Sequence, residues 1–353
     1  MIDLLNLTNA QLREILASWG QPAYRADQID RWLYRDLVTN FDAMTNLPRD
    51  LRDRLQAETK IGVPPVITET KSADGMTRKA LLKLDDGQTI ETVLMLYADA
   101  PNSPGFDEST DIKRRTICIS TQVGCPIGCP FCATGQAGYI RNLTAGEIVA
   151  QVLHYARTHS PITNIVIMGM GEPFMKFDVT WQAIESLTHS NRFGLGARRL
   201  TVSTSGEVPG IEKLANADLQ INLAISLHAP DDELRNTLVP LNRKYPLKPL
   251  MRAVRDYIKK TNRRVTFEYA LMSKVNDTSE QAKALAHILR GMLCHVNLIP
   301  LNPTKSSLYQ RSSRESVLKF ETVLREAGIQ TTVRVEKGIE IAAGCGQLRQ
   351  ARP

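Results

Sequence analysis

The chain has 353 residues, of which 42% are hydrophobic and 23% charged, as in a globular protein with a full α/β core and a smaller domain beside it. No run of 18 apolar residues is present, so we expect no membrane span, and the first residues lack the basic and apolar segments of a secretory signal. We therefore expect a cytoplasmic protein whose thiols stay reduced.

The formal net charge of +7 is unevenly distributed along the chain. Residues 1–117 carry 15 Lys and Arg against 18 Asp and Glu, a net charge of −3, so the remainder carries +10. A basic half suits a polyanionic substrate such as RNA, although the solvated surface of a mildly basic protein explains the charge equally well.

Residues 1–60 predict a compact unit of three helices. The first begins at Thr8, which forms a capping box with Gln11, and the others follow Pro22 and Pro48. This unit is either an accessory domain that docks RNA or a helical cap on the main domain. The sequence does not separate the two interpretations.

Residues 61–112 change to the alternating pattern of strands. The segments 79–84 and 89–95 predict a β-hairpin around the turn Asp85-Asp86-Gly87-Gln88, and residues 99–112 form a loop or linker rich in Pro, Asp and Ser. Glu91 lies in the second strand, where it could simply face solvent.

Residues 113–335 repeat a strand followed by a helix. Six strands are predicted, at 115–120, 163–168, 200–204, 220–228, 265–271 and 295–302. Repeated βα units imply a parallel sheet, and six of them favour a partial (β/α)6 barrel over a closed eight-stranded one. Residues 336–353 form a C-terminal tail.

The first of these strands leads into a loop with three clustered cysteines. Cys125, Cys129 and Cys132 have C-x3-C-x2-C spacing, which suits three irons of a [4Fe-4S] cluster and leaves the fourth iron open to a small molecule. Structural zinc normally requires four ligands in two pairs, and the nearest histidine is distant, at His154. Disulfide pairing is disfavoured because nothing else indicates export. The spacing resembles the signature of the radical S-adenosylmethionine (SAM) enzymes.

Polar side chains recur where the predicted strands end. They are Glu172, Ser203, Ser226, His228 and Asn302. Each alone could be a turn or cap residue, but side chains at the carboxyl ends of barrel strands meet on one face. Together with the cysteine loop they predict a single pocket.

Three cysteines lie outside the loop. Cys345 is flanked by Gly344 and Gly346 in a segment that can carry a thiol close to other groups. Cys118 lies seven residues before Cys125, and for it and Cys294 the ordinary interpretation is a small buried apolar residue.

Eight ordered motifs in residues 116–348 resemble the radical SAM adenine methyltransferases of ribosomal RNA, the RlmN/Cfr type. They are Cys-Ile-Ser-Thr-Gln-Val-Gly-Cys, Phe-Cys-Ala-Thr-Gly, Arg-Asn-Leu-Thr, Gly-Met-Gly-Glu-Pro, Thr-Val-Ser-Thr-Ser-Gly, Ser-Leu-His-Ala, Asn-Leu-Ile-Pro-Leu-Asn and Cys-Gly-Gln-Leu. The N-terminal helices and hairpin match more loosely. Gly344 stands where the family commonly has alanine.

The resemblance implies a role for each matching residue. Cys125, Cys129 and Cys132 would hold the cluster, and SAM would chelate its open iron. The family's SAM-contact positions correspond to Gly171, Glu172, Ser203, Ser226, Leu227, His228 and Asn302. Cys345 matches the cysteine that is itself methylated, Cys118 the thiol that resolves the RNA adduct, and Glu91 a proton acceptor.

The implied reaction uses two SAM molecules per turnover. The first methylates Cys345. One electron from the reduced cluster cleaves the second to a 5′-deoxyadenosyl radical, which takes hydrogen from that methyl group. The methylene radical adds to the adenine ring, and Cys118 then attacks the sulfur of Cys345, leaving a disulfide.

The resemblance implies 23S ribosomal RNA as substrate, with transfer RNA a further candidate, and a flavodoxin- or ferredoxin-like reductant. We expect a monomer that acts on carbon 2 of adenine. The alternatives are carbon 8, another radical SAM reaction on a small molecule or protein, and an RNA-binding protein with a structural cluster.

Overall fold

The computed structural model of the chain describes residues 1–98, 111–302, 304, 308–335 and 337–349. Most of the linker predicted at 99–112 and the last four residues of the tail lie outside this part. No helix within it is long and apolar enough to cross a membrane.

The N-terminal unit consists of three helices and a short parallel strand pair. These elements are β1 (Ile2–Asp3), α1 (Asn9–Ser18), α2 (Tyr24–Tyr34), α3 (Arg49–Glu58) and β2 (Thr59–Lys60). The predicted capping box is confirmed, since Thr8 Oγ1 accepts from the Gln11 amide and the Gln11 side chain accepts from the Thr8 amide. Leu12, Leu16 and Ile29 are fully buried, because the apolar residues repeat at helical spacing and face one another.

The main body, within the described residues, is one ten-stranded sheet. Its strands are β3 (Val66–Lys71), β4 (Thr77–Lys83), β5 (Thr89–Ala98), β6 (Ile112–Cys118), β9 (Asn164–Ile167), β10 (Leu200–Thr204), β11 (Asn222–Ser226), β12 (Val265–Leu271), β13 (Cys294–Pro300) and β14 (Thr331–Val333). A separate antiparallel pair, β7 (Gln122–Gly124) and β8 (Tyr139–Asn142), flanks the cysteine loop.

The strand order is β14-β13-β12-β11-β10-β9-β6-β5-β4-β3. Within this sheet, β6, β9, β10, β11, β12, β13 and β14 are parallel. The strands β5, β4 and β3 extend the sheet beyond β6, and each pairs antiparallel with its neighbour. Among the described strands the order is open-ended, so the predicted partial barrel is confirmed.

Helices connect the parallel strands. They are α4 (Ala133–Gln136), α5 (Ala145–His159), α6 (Phe177–Thr188), α7 (Val208–Ala215), α8 (Asp232–Leu238), α9 (Leu247–Thr261), α10 (Ser279–Leu289) and α11 (Arg314–Glu326). The elements that were not predicted from the sequence are β1, β2, β3, β7, β8, β14, α4, α8 and α11. The count of six parallel strands was therefore one too low, because β14 has only three residues and shows no clear alternation.

The predicted hairpin is confirmed as β4 and β5, and it is joined directly to the barrel. Val93 pairs with Cys118 and Leu94 with Ile117, so β5 lies beside the strand that leads into the cysteine loop. Buried Ile90, Val93 and Leu94 belong to the same apolar core as the barrel strands. The hairpin is thereby held next to the pocket.

Candidate active site

One cavity at the carboxyl ends of the parallel strands collects eleven of the thirteen predicted site residues. They are Cys118, Cys125, Cys129, Cys132, Gly171, Glu172, Ser203, Ser226, His228, Asn302 and Cys345. The space between them is about 1250 Å³, including the part open to solvent. Because these residues come from several strand ends, the cysteine loop and the tail, only the folded sheet brings them together.

The cysteine loop folds tightly between β7 and α4. Gly124 has φ of 78°, and a Cβ there would overlap the carbonyl of Gly138, which accepts a 2.8 Å hydrogen bond from the amide of Cys125. A Cβ on Gly135 would lie 2.8 Å from the backbone nitrogen and oxygen of Cys129. Glycine is therefore needed at both positions for the chain to wrap this closely.

The three loop thiols lie close enough to interact electrostatically. Burial raises the pKa of Cys129 well above its usual value, and the neighbouring Cys132 and Cys125 raise it further. Burial is also the main cause that raises the pKa of Cys125 to about 12. A protonated thiol is a poor metal ligand, so a metal that binds here must displace the thiol protons.

One cation lies near these thiols. Arg235 is fully buried, and its guanidinium donates to the carbonyls of Leu227, Ser205 and Ser226. Its charge opposes the rise in the pKa of Cys129. A cation at this depth suits a site that holds a group with net negative charge, such as a thiolate-ligated iron–sulfur cluster.

The donor set fits an iron–sulfur cluster. Cys125, Cys129 and Cys132 all line the cavity, and three thiols match the three-cysteine ligation of a [4Fe-4S] cluster.

Glu172 is a fixed carboxylate beyond the end of β9. It accepts hydrogen bonds from Thr204 Oγ1 at 2.7 Å and from the amides of Ser205 at 2.6 Å and Phe174 at 3.2 Å. Burial raises its pKa, and these donors oppose the rise. The carboxylate is therefore held rigidly with a remaining acceptor site for an ammonium group.

Asn302 has a buried polar atom with no described partner. Its Nδ2 donates to the backbone carbonyl of Cys345 at 3.1 Å, and its Oδ1 is unsatisfied. Ser203 and Ser226 lie on neighbouring strands with hydroxyls 3.4 Å apart. A ligand with hydroxyl or amino groups would satisfy these atoms. A Cβ on Gly344 would be 2.7 Å from Asn302 Nδ2, so alanine there requires Asn302 to move.

His228 is held neutral. Its Nδ1 accepts from the amide of Ala270 at 2.9 Å, and its ring packs edge-on against Phe131 with centroids 5.0 Å apart. Burial lowers the pKa of His228 to about 3. The ring therefore acts as an oriented polar surface of the pocket and not as an acid or base near neutral pH.

The remaining predicted thiols, Cys118 and Cys345, line the same cavity and are both free. Cys118 is the last residue of β6. Burial is the larger cause that raises the pKa of Cys118 to about 12, and the neighbouring Cys345 is the smaller one. Burial also raises the pKa of Cys345, and the guanidinium of Arg334 opposes this. The two thiols are thus near each other and share one cation.

Arg334 and Glu268 are two further residues of the site, and neither was predicted from the sequence. Both line the cavity, and Glu268 is buried at the middle of β12, where Asn297 donates to it at 2.8 Å. Arg334 directly follows β14. The rule that functional side chains follow strand ends would have found Arg334 if β14 had been predicted.

Two predicted residues lie outside the cavity lining. The side chain of Leu227 is buried in the core, and its carbonyl accepts from Arg235. Glu91 is also buried, but its carboxylate contacts Lys79 and the tail instead of the cavity. Their roles in SAM contact and proton transfer stay predictions.

Comparisons with known proteins show the family and the fold of the chain. The model of the radical SAM superfamily matches residues 119–286, and that of the ribosomal RNA large subunit methyltransferase N-terminal domain matches residues 2–61. A crystal structure of a radical SAM methyltransferase from Sphaerobacter thermophilus is 50% identical, with a TM-score of 0.92 and 99% of each chain covered.

Two relatives span almost the whole chain. A probable dual-specificity RNA methyltransferase RlmN of Chloroflexus aurantiacus is 50% identical over 96% of this chain and 90% of its own. A ribosomal RNA large subunit methyltransferase N of Nitrosopumilus maritimus is 48% identical over 99% of both.

Proposed function

The chain belongs to the RlmN family of radical SAM RNA methyltransferases, and we propose that it methylates a ring carbon of an adenine in 23S ribosomal RNA, with carbon 2 as the position. The observation that carries the proposal is the convergence of Cys118, Cys345 and the three-cysteine loop on one cavity. A plain methyl transfer from SAM would need none of these cysteines.

Cys125, Cys129 and Cys132 would hold the cluster, which when bound supplies the electron that cleaves SAM. The ammonium group of SAM is matched by the fixed carboxylate of Glu172, and its hydroxyls by the polar atoms of Ser203, Ser226 and Asn302. The backbone of Gly171 and Leu227 and the ring of His228 complete the proposed contacts. These residues bind and orient SAM and exclude water.

Cys345 carries the methyl group in the proposed reaction. Its thiolate attacks the methyl carbon of a first SAM; the new S–C bond forms as the sulfonium bond breaks, and S-adenosylhomocysteine leaves. One hydrogen atom of that S-methyl group passes to the 5′-deoxyadenosyl radical from a second SAM, and the resulting methylene carbon bonds to the adenine ring carbon, which then loses its own hydrogen as a proton together with one electron. The Cys118 thiolate attacks the sulfur of Cys345; the S–S bond forms as the bond from that sulfur to the methylene carbon breaks, and this carbon takes up a proton to become the methyl group of the released base. The Cys118–Cys345 disulfide that remains must be reopened by an external reductant.

The RNA and protein partners follow from this chemistry. The target adenine must be unstacked to enter the cavity that Cys118 and Cys345 line, which favours an RNA loop. Transfer RNA is a second proposed substrate, for which the dual-specificity name of the Chloroflexus relative is the support. The proposal includes a flavodoxin- or ferredoxin-like reductant, a monomeric enzyme and a cytoplasmic location.

Methyl-deuterated SAM tests the proposal directly. Reconstituted enzyme is incubated with reductant and unmodified large-subunit RNA, and the nucleosides are analysed by mass spectrometry. A methyladenosine that has lost one deuterium supports transfer through Cys345, and its chromatographic position separates carbon 2 from carbon 8. A methyl group that keeps every deuterium would mean direct transfer and would refute the roles of Cys345 and Cys118.

A further inference from the structure

The segment that carries Cys345 is held at both ends by one ion pair of the hairpin. Lys79 lies on β4 and Glu91 on β5, and Lys79 Nζ is 2.9 Å from Glu91 Oε1. In the register of these strands Lys79 is opposite Val93, two residues from Glu91. Both side chains therefore stand on the same face of the hairpin.

Each partner also makes one hydrogen bond to the tail. Lys79 Nζ donates to the carbonyl of Ala342 at 3.2 Å, and the amide of Arg349 donates to Glu91 Oε2 at 2.8 Å. Ala342 lies three residues before Cys345 and Arg349 four residues after it. The two contacts thus bracket the thiol.

The pair is well placed to make strong contacts. The side chains of Lys79 and Glu91 are only 14% and 10% exposed, so water competes little for them. Hydrogen bonds in which one partner is charged are stronger than neutral ones, and both contacts with the tail are of this kind. Ala342 has φ of 53°, an unfavourable left-handed conformation that the bond to its carbonyl helps to maintain.

Other contacts fix the same segment against the pocket. The carbonyl of Gly346 accepts from the amide of Ala133 at 2.7 Å, next to Cys132 in the cysteine loop. Asn302 holds the carbonyl of Cys345 itself. The Lys79–Glu91 pair holds the segment on the side that faces the hairpin.

We propose that the Lys79–Glu91 pair is a clamp that sets the position of Cys345 in the cavity, and that Glu91 is a positioning residue rather than a proton acceptor. This role rests on the proposed function, because it matters for methyl transfer only if Cys345 carries the methyl group. Each carboxylate oxygen of Glu91 already has one partner, Lys79 at Oε1 and the Arg349 amide at Oε2, so the carboxylate is oriented toward the hairpin and the tail. Glu91 is also absent from the residues that line the cavity.

The test compares Lys79→Met with Glu91→Gln. The Lys79 ammonium group, paired with Glu91, has no lone pair with which to accept a proton, so a proton-acceptor role of Glu91 alone predicts that Lys79→Met transfers methyl groups almost normally. The clamp predicts that both variants fail alike. Glutamine offers one acceptor oxygen where the carboxylate offers two, so Glu91→Gln keeps only one of its two contacts.

Hydrogen exchange of residues 342–349 is measured by mass spectrometry together with the methylated fraction of Cys345. We expect exchange at least about tenfold faster in both variants, because the segment opens locally, with methylation falling in parallel. Exchange in α5 serves as the internal control for folding. Lys83→Met, an exposed position on β4, is the matched control and should change neither quantity.

Lys79→Arg keeps the positive charge and should retain most of the protection. Unchanged exchange in Lys79→Met, or loss of methyl transfer in Glu91→Gln with unchanged exchange, would overturn the clamp. If the wild-type chain transfers no methyl group through Cys345, the proposed function fails, whereas the exchange measurement still decides whether the clamp exists.

Discussion

The side-chain amide of Asn302 joins the end of β13 to the tail by donating to the carbonyl of Cys345 at 3.1 Å, while its Oδ1 remains buried without a described partner. Asn302→Ala should therefore weaken SAM binding, by about fivefold to a hundredfold, since a buried donor of SAM left without its acceptor costs roughly 1–3 kcal/mol. Anaerobic calorimetry on the reconstituted enzyme measures the affinity.

Asn302→Asp is the matched variant for that measurement. It keeps the acceptor oxygen for SAM but loses the donor to Cys345, so SAM should bind more tightly than to Asn302→Ala while Cys345 is methylated more slowly than in the wild type. Equal SAM affinity in the wild-type and alanine proteins would contradict the contact.

Arg334 should govern the ionisation of Cys345. Its guanidinium opposes the burial that raises the pKa of this thiol, whereas Glu268 and Cys132 act in the opposite direction. Arg334→Gln removes the cation and should raise the pKa of Cys345 further. The alkylation of Cys345 by iodoacetamide should therefore accelerate at a higher pH in this variant than in the wild type. At a fixed pH below the pKa, a further rise of the pKa lowers the thiolate fraction and with it the alkylation rate.

The alkylation profile is obtained by peptide mass spectrometry across a pH series. Arg334→Lys retains a positive charge and should lie closer to the wild type. An identical profile for the wild type and Arg334→Gln would show that the guanidinium does not act on Cys345.

Asp30→Ala should strongly destabilise the protein. Asp30 pairs with Arg192 at 3.0 Å, with side-chain exposures of 2% and 5%, and this contact joins α2 of the N-terminal unit to the segment after α6. Breaking a buried pair leaves an uncompensated charge and costs about 3–5 kcal/mol. The free energy of unfolding from urea denaturation gives the loss.

Asp36→Ala is the control for this effect. Asp36 pairs with Arg31 at 3.7 Å, with exposures of 36% and 74%, and such surface pairs contribute about 0–1 kcal/mol. Losses of similar size in the two variants would mean that burial of the Asp30–Arg192 pair is not decisive.

Gly124→Ala should reduce the assembly of the cluster. The new Cβ would overlap the Gly138 carbonyl, and φ of 78° is unfavourable for alanine, so the β7–β8 pair beside Cys125 must separate. Iron and acid-labile sulfide per chain after reconstitution should fall well below the wild-type values. Gly196→Ala is the control, because a Cβ there contacts nothing within 4 Å and its φ of −58° is ordinary. Full cluster content in Gly124→Ala would show that the loop tolerates the substitution.

The prediction of the fold depended on local patterns with strong periodicity. Capping boxes and helical spacing located most helices, since these signals lie within a few neighbouring residues. The elements missed include β14, with three residues, and β3, whose residues are all exposed. Apolar alternation is absent when neither face of a strand is buried, so such strands are formed by pairing with a neighbour.

The sequence by itself determined the kind of chemistry, because the cysteine spacing and the ordered motifs are local in the chain. Only the tertiary structure decided which distant groups act together. Arg334 acts electrostatically on Cys118 and Cys345, and the hairpin contacts both ends of the Cys345 segment, because the sheet brings together strands that are far apart in sequence. Such contacts depend on strand order and register. A local segment of sequence specifies only one of the two strands that pair, so it does not determine either.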